Sequence, residues 1–308
     1  MQTRLGYSAL AAVVLAVWGQ SASALNISFD YSYDSSGFFA DAARRSTLQQ
    51  AGNYLGSRLS DNLSAITSSG GNQFTASFGN PSTVAGASIA SYSVAANTLV
   101  IFVGAQNLGS SLGQGGPGGY ASSGTQAFID TVDARGQLGA LSAVPTDFGP
   151  WGGSISFNNV GTNWYFDSDV NTVETFTGFD FFSVAVHELG HVLGAGTADS
   201  WLSYVSGANF VGLNAMAAYG GPVPLNIDLA QKIDNAHWAD AVTSTVNGLP
   251  QGAAMTSAIG AGTRKYFTDL DFAGAKDIGW QVTAVPVPAA FWLLVSGVMG
   301  LVAVSRRK

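Results

Sequence analysis

Apolar residues recur at helical spacing across residues 38–63, where Phe39, Ala43, Leu48, Ala51, Leu55 and Leu59 are interspersed with Arg44, Arg45 and Arg58. That period predicts a helix. Residues 88–94 and 98–103 read as strands, the second nearly all apolar and therefore expected in the middle of a sheet. Residues 109–119 are glycine-rich and lack the Gly-Lys-Ser/Thr ending of a phosphate cradle, so they read as a flexible connection. Residues 153–157 alternate like a half-buried strand, and residues 164–166 read as another. Helical spacing returns over residues 179–194, with Phe181, Val184, Ala185 and Leu189 as the buried stripe. Residues 197–251 are rich in Gly, Pro, Asn and Ala and carry no strong period. Residues 269–278 read as a closing helix, with Trp280 just beyond. No internal repeat interrupts this pattern.

The two ends read as addresses. Residues 1–24 begin with Arg4, continue as an apolar run over 9–18, and finish in Ser21-Ala22-Ser23-Ala24, the small-x-small pattern cut by signal peptidase. The body is therefore expected to be exported. At the other end Val285-Pro286-Val287-Pro288-Ala289 precedes an uncharged stretch over 289–304 and then Arg306-Arg307-Lys308. A helix of that stretch would be about 24 Å long, enough to enter a membrane with its cations held on the cytoplasmic side. This tripartite tail resembles the PEP-CTERM sorting signals of Gram-negative bacteria, in the variant led by Val-Pro-x-Pro-Ala, with Val287 where the family name has Glu. The resemblance implies a transient inner-membrane anchor, cleavage by an exosortase-type sorting enzyme, and delivery to the cell surface or extracellular matrix. The expected organisation is a signal peptide (1–24), a catalytic body (25–284) and a sorting signal with a transmembrane helix and basic end (285–308).

The chain has 308 residues, long enough for one large domain or two small ones, and only 10% are charged. With Arg4 and the three terminal cations set aside, the body carries 8 basic against 19 acidic residues. An acidic body without basic clusters argues against nucleic acid as a partner. The absence of Cys excludes a disulfide scaffold, thiolate zinc sites and cysteine catalysis.

Chemistry concentrates in His187-Glu188-Leu189-Gly190-His191. With only 3 His in the chain, a chance HExxH is expected about twice in ten thousand shuffles. Residues four apart lie one above the other on a helix, so the two imidazoles converge on one ion. A catalytic zinc takes three protein groups and keeps a position for water. Glu188, on the flank, would accept that water's proton.

Gly194 follows the second His by three residues, and this HExxHxxG pattern resembles the metzincin zinc proteases. Residues 153–158 with Trp164 resemble the edge strand that lines the substrate cleft in matrixins. Six residues after His191 the family's third His is replaced by Thr197. The remaining His is His237, and a long insertion before it resembles the leishmanolysin-like branch; Asp199 is the alternative third ligand. In that branch's order, Met255 would be the Met-turn beneath the zinc. The resemblance implies an α+β fold of metzincin-like zincin type, a twisted mixed sheet packed on helices, with the active-site helix and a lower C-terminal subdomain. It further implies a Zn2+ endopeptidase acting on protein or peptide substrates, with Glu188 as general base and His187, His191 and His237 as ligands.

Weaker features remain. Asp167, Asp169 and Asn171 alternate as calcium ligands can, but without EF-hand spacing they read as a solvated turn. Glu174 reads as a surface residue. Tyr204, Tyr219 and Tyr266 are possible oxyanion stabilisers. Two rival functions stand beside the protease: a surface or biofilm matrix protein using an inactive metzincin fold for binding, and a non-peptidase zinc hydrolase.

Overall fold

The pattern of residues with both faces covered decides the architecture. In the computed structural model, residues 24–83, 85–172, 174–227 and 232–283 are described. Strand β1 (Asn26–Asp30) leads through a 3-10 turn at Phe38–Ala40 into helix α1 (Ala42–Gly56), which Asp41 caps by accepting the Ala43 N–H. Strands β2 (Gln73–Gly79), β3 (Gly86–Ile89), β4 (Thr98–Gln106), β5 (Gly113–Pro117) and β6 (Gly119–Ser123) follow, then helix α2 (Gln126–Ala134). Strands β7 (Gly152–Asn158), β8 (Trp164–Tyr165) and β9 (Phe179–Asp180) lead into helix α3 (Phe181–Val192).

The principal sheet has the order β1-β4-β7-β5; the first three strands are parallel and β5 runs antiparallel to β7. Side chains alternate along β4. Leu99, Ile101 and Val103 face the core shared with α1 and α3, while Phe102 faces a second core with Phe74, Phe78 and Trp151. The small sheet β3-β2-β6 covers that second face, with Phe78 stacked on Phe102 at 4.1 Å between centroids. A strand buried on both faces reads as a continuous apolar run, which is why β4 was expected in the interior.

Beyond α3 the chain builds a lower part. It comprises helix α4 (Asp199–Leu202), strands β10 (Val205–Ser206) and β11 (Asn209–Phe210), helix α5 (Leu213–Tyr219), strands β12 (Val223–Ile227) and β13 (Ile233–Trp238), the hairpin β14 (Thr243–Val246) and β15 (Leu249–Gly252), and helix α6 (Asp269–Asp277). Its aromatic centre, Trp201, Phe210 and Trp238, belongs to the same buried cluster as Leu48 and Leu55 of α1, so upper and lower parts share one core. The fold is thus mixed α+β, with a mixed sheet packed against α1 and α3.

Three expectations need correction. The helix expected over 38–63 stops at Gly56, because the Leu25 N–H bonds to the Gly56 and Leu59 carbonyls there. A Cβ at Gly56 would lie 2.3 Å from the Leu25 carbonyl oxygen. Leu59 and Leu63 are still buried, but as extended chain. The strand expected over 88–94 ends at Ile89, since Ser91 adopts φ 53° and turns the chain. Most consequentially, the glycine-rich run is no loose connection. It forms β5 and the start of β6, and β5, not β7, is the edge of the sheet.

Among the described residues no helix is long and apolar enough to cross a membrane. The expected sorting signal, and all of the expected leader but Ala24, lie outside the described residues.

Candidate metal centre

Helix α3 begins where Asp180 accepts the Ser183 N–H at 3.1 Å. Phe181, Phe182, Ala185, Val186 and Leu189 bury its inner face. His187 and His191, one turn apart, face the cleft. Gly194 (φ 107°) and Gly196 (φ 71°) then turn the chain under the helix, a conformation open to glycine. Gly196 is required for a second reason: its Cβ would lie 2.2 Å from the Cα of Ala236.

Ala236 belongs to a bulge. In the β12–β13 hairpin Leu225 pairs with Trp238 and Asn226 with Asp234, so residues 235–237 are looped out of the ladder. Such an insertion re-aims a side chain, and here it aims His237 at α3. Both flanks are anchored: Trp201 Nε1 donates to the Asn235 carbonyl at 2.9 Å, and the Trp238 N–H donates to the Met255 carbonyl at 2.9 Å.

The three imidazoles meet. Their Nε2 atoms are 3.1 Å apart for His187–His191, 3.2 Å for His187–His237 and 3.2 Å for His191–His237. Each Nδ1 faces an oxygen acceptor: the Ala254 carbonyl (2.8 Å) for His187, the Ala195 carbonyl (2.8 Å) for His191 and the Asp234 carboxylate (2.7 Å) for His237. Each Nδ1 therefore carries the hydrogen, and three Nε2 lone pairs point at one another. They cannot satisfy one another, whereas a shared cation satisfies all three. This group could hold a metal ion. Burial, and next the His191 ring, hold His187 well below the ordinary imidazole value. Burial, and next His237, lower His191 to about 4. Both stay neutral and ready to ligate near pH 7.

Glu188 is 5% exposed and lies against β5. Burial lifts its carboxyl to about 8, opposed by a hydrogen bond from the Gly115 backbone. The cleft in front of these groups has a volume of about 810 Å³ and is bounded by β5 on one side and by Thr256, Ile259 and Lys265 on the other. Met255, 1% exposed, sits under the motif; a Cβ on Gly190 would meet its Sδ at 2.4 Å.

Other expected site residues fall elsewhere. Thr197 lines the cleft, but its hydroxyl donates to the His191 carbonyl at 2.8 Å. Asp199 is exposed and faces a separate small cavity beside Asp147, away from the three imidazoles. Tyr204 packs on Phe210, Tyr219 is 40% exposed at the end of α5, and the Tyr266 hydroxyl donates to the Val170 carbonyl; none lines the cleft. Asp167 is bound by Arg264 at 2.6 Å and Asp169 accepts from Asn171, so these oxygens do not converge. Glu174 is exposed, where it accepts the Tyr165 hydroxyl.

Residue patterns did not disclose Asp234, Gly113, Gly115 or Asp271. Asp271, 3% exposed, accepts from Trp238 Nε1 (2.8 Å), Ala254 N (2.9 Å) and Met255 N (3.2 Å). It thereby ties the strand carrying His237 to the carbonyl that orients His187. No family model matches this chain, and neither a curated protein nor a solved structure does.

Proposed function

We propose that the protein is an exported zinc-dependent endopeptidase of metzincin-like type. The observation that carries this reading is the triangle of three converging Nε2 lone pairs with every Nδ1 already committed. Ligand nitrogens about 2.0–2.1 Å from a tetrahedral zinc stand about 3.3–3.4 Å apart. Separations of 3.1–3.2 Å fit that spacing after a small expansion. An all-imidazole donor set suits zinc better than calcium or magnesium, which prefer oxygen.

Zinc, when bound, supplies a Lewis acid that polarises a carbonyl and brings the pKa of water to about 7. The chain's own part is then defined. Glu188 accepts the proton of the attacking water and returns it to the departing amine. Strand β5 offers an open sheet edge along the cleft, to which an extended peptide can add as a further strand. That edge is the feature favouring a peptide substrate over a small ester or amide. The leader and PEP-CTERM-like tail in the sequence support export, signal peptidase and an exosortase-type enzyme as processing partners, and a surface or matrix destination.

The test is cleavage of casein or a peptide library by the purified chain and its Glu188→Gln variant. Hydrolysis by the wild type, reduced about 10²–10⁴-fold in the variant with zinc retained, is expected. Full turnover in the variant would overturn the role of Glu188. Zinc binding without cleavage of any peptide would favour the binding-only matrix protein.

A further inference from the structure

We propose that Asp234 is a positioning residue for the metal site: its carboxylate closes the bulge that carries His237 and fixes the orientation of that ring. The inference rests on the reading that His187, His191 and His237 share a metal ion.

His237 differs from the other two ligands in its support. His187 and His191 stand on one helix, and main-chain carbonyls hold their Nδ1 atoms. His237 stands on a looped-out segment of a hairpin strand and has a side-chain partner instead. The two oxygens of Asp234 do separate work. Oδ2 accepts from His237 Nδ1 at 2.7 Å, and Oδ1 accepts the Ala236 N–H at 3.0 Å. One carboxylate therefore holds both the bulged backbone and the ring that the bulge presents. Asp234 also begins the irregularity, since it makes the last ladder pair, with Asn226, before the register breaks.

The chemistry requires a carboxylate here. A carboxylate only accepts, so it keeps the hydrogen on Nδ1 and leaves the Nε2 lone pair for the ion. It also places a negative charge behind the ligand, which strengthens a donor to a dication. Asparagine cannot reproduce this. With its oxygen on the Ala236 N–H it would turn its NH2 toward Nδ1, favouring the hydrogen on Nε2, where the metal binds. With the amide reversed, the NH2 would face the Ala236 N–H.

Zinc affinity of the full chain, measured by competition with a chromophoric chelator, tests this without reference to catalysis. Asp234→Asn is expected to bind zinc about 10–100-fold more weakly than wild type. The cobalt-substituted variant is expected to show an altered visible spectrum. In a His237→Ala background the same substitution is expected to cost nothing further, because Asp234 acts through that ring. Asp234→Ser, at a partly exposed position, is the second variant should the first fail to fold. Affinity within twofold of wild type would overturn the proposal. So would an undiminished loss in the His237→Ala background, which would mark Asp234 as a support of the fold alone. A wild-type chain that binds no zinc would overturn the metal reading itself, and this inference with it.

Discussion

The Cβ that Gly113 lacks would lie 2.6 Å from Oε1 of Glu188, and the one that Gly115 lacks would lie 2.7 Å from the Glu188 carbonyl oxygen. Gly113 and Gly115 of β5 are thus the space into which α3 packs. Their neighbour Gly116 has nothing within 4 Å of its Cβ position. Gly113→Ala is expected to displace the carboxylate and lower kcat at least tenfold with zinc content unchanged. Gly115→Ala, which meets backbone, is expected to lower the melting temperature too. Gly116→Ala is the control and should match wild type. Equal behaviour of the three variants in turnover and melting would refute the packing argument.

Arg264 joins two buried carboxylates, Asp180 at 2.9 Å and Asp167 at 2.6 Å, and Asp180 is also the N-cap of α3. Against the opposing effect of burial, the hydrogen bonds that Arg264 donates to both carboxylates raise its pKa further. Arg264→Met leaves both anions buried without their cation, and breaking such a pair costs about 3–5 kcal/mol. Arg264→Lys should recover little, because one ammonium cannot span both partners as the planar fork does. Chemical denaturation would measure both, and near-wild-type stability of the Lys variant would contradict the bidentate role.

Asp271 links the elements that the three-histidine site needs but the helix does not carry. Asp271→Ala orphans the Ala254 and Met255 N–H groups and the Trp238 indole. Each unsatisfied donor costs about 1–3 kcal/mol. The variant is expected to lose at least about 3 kcal/mol of stability and to bind zinc more weakly, although Asp271 touches no ligand. Unchanged zinc affinity would show that the Met255 turn does not govern the site.

Sequence carried the helix and its two imidazoles because period and chemistry coincide there: Phe181, Ala185 and Leu189 face inward while His187 and His191 face the cleft. His237 could be chosen by elimination, since no other imidazole exists. Asp234 could not. Residues three apart on a regular strand point to opposite faces, and only the looped-out register brings its carboxylate onto the His237 ring. Strand β5 was illegible for a related reason. Its glycines read as flexibility, whereas contact with α3 and the β7 ladder imposes order that local propensity opposes. Residues 153–158, expected at the edge from their resemblance to the matrixin edge strand, lie one strand further in because β5 pairs along their outer side.

Asp61 gives the stability a pH signature apart from the metal. Burial raises its carboxyl from 3.8 to about 6, against hydrogen bonds from backbone N–H groups, the Gln281 N–H foremost. The protonated form is therefore favoured by folding. Its contribution is full below about pH 4 and is lost as pH rises through about 6. Relative to Asp61→Asn, the wild type should lose stability between pH 4 and pH 7. A difference in melting temperature that stays constant over that range would contradict the burial argument.

Zinc-edge X-ray absorption on the purified chain tests the central claim most directly. Three imidazole nitrogens at about 2.0–2.1 Å per zinc are expected, falling to two in His237→Ala. A first shell of oxygens, or a nitrogen count that His237→Ala leaves unchanged, would contradict the shared three-histidine site.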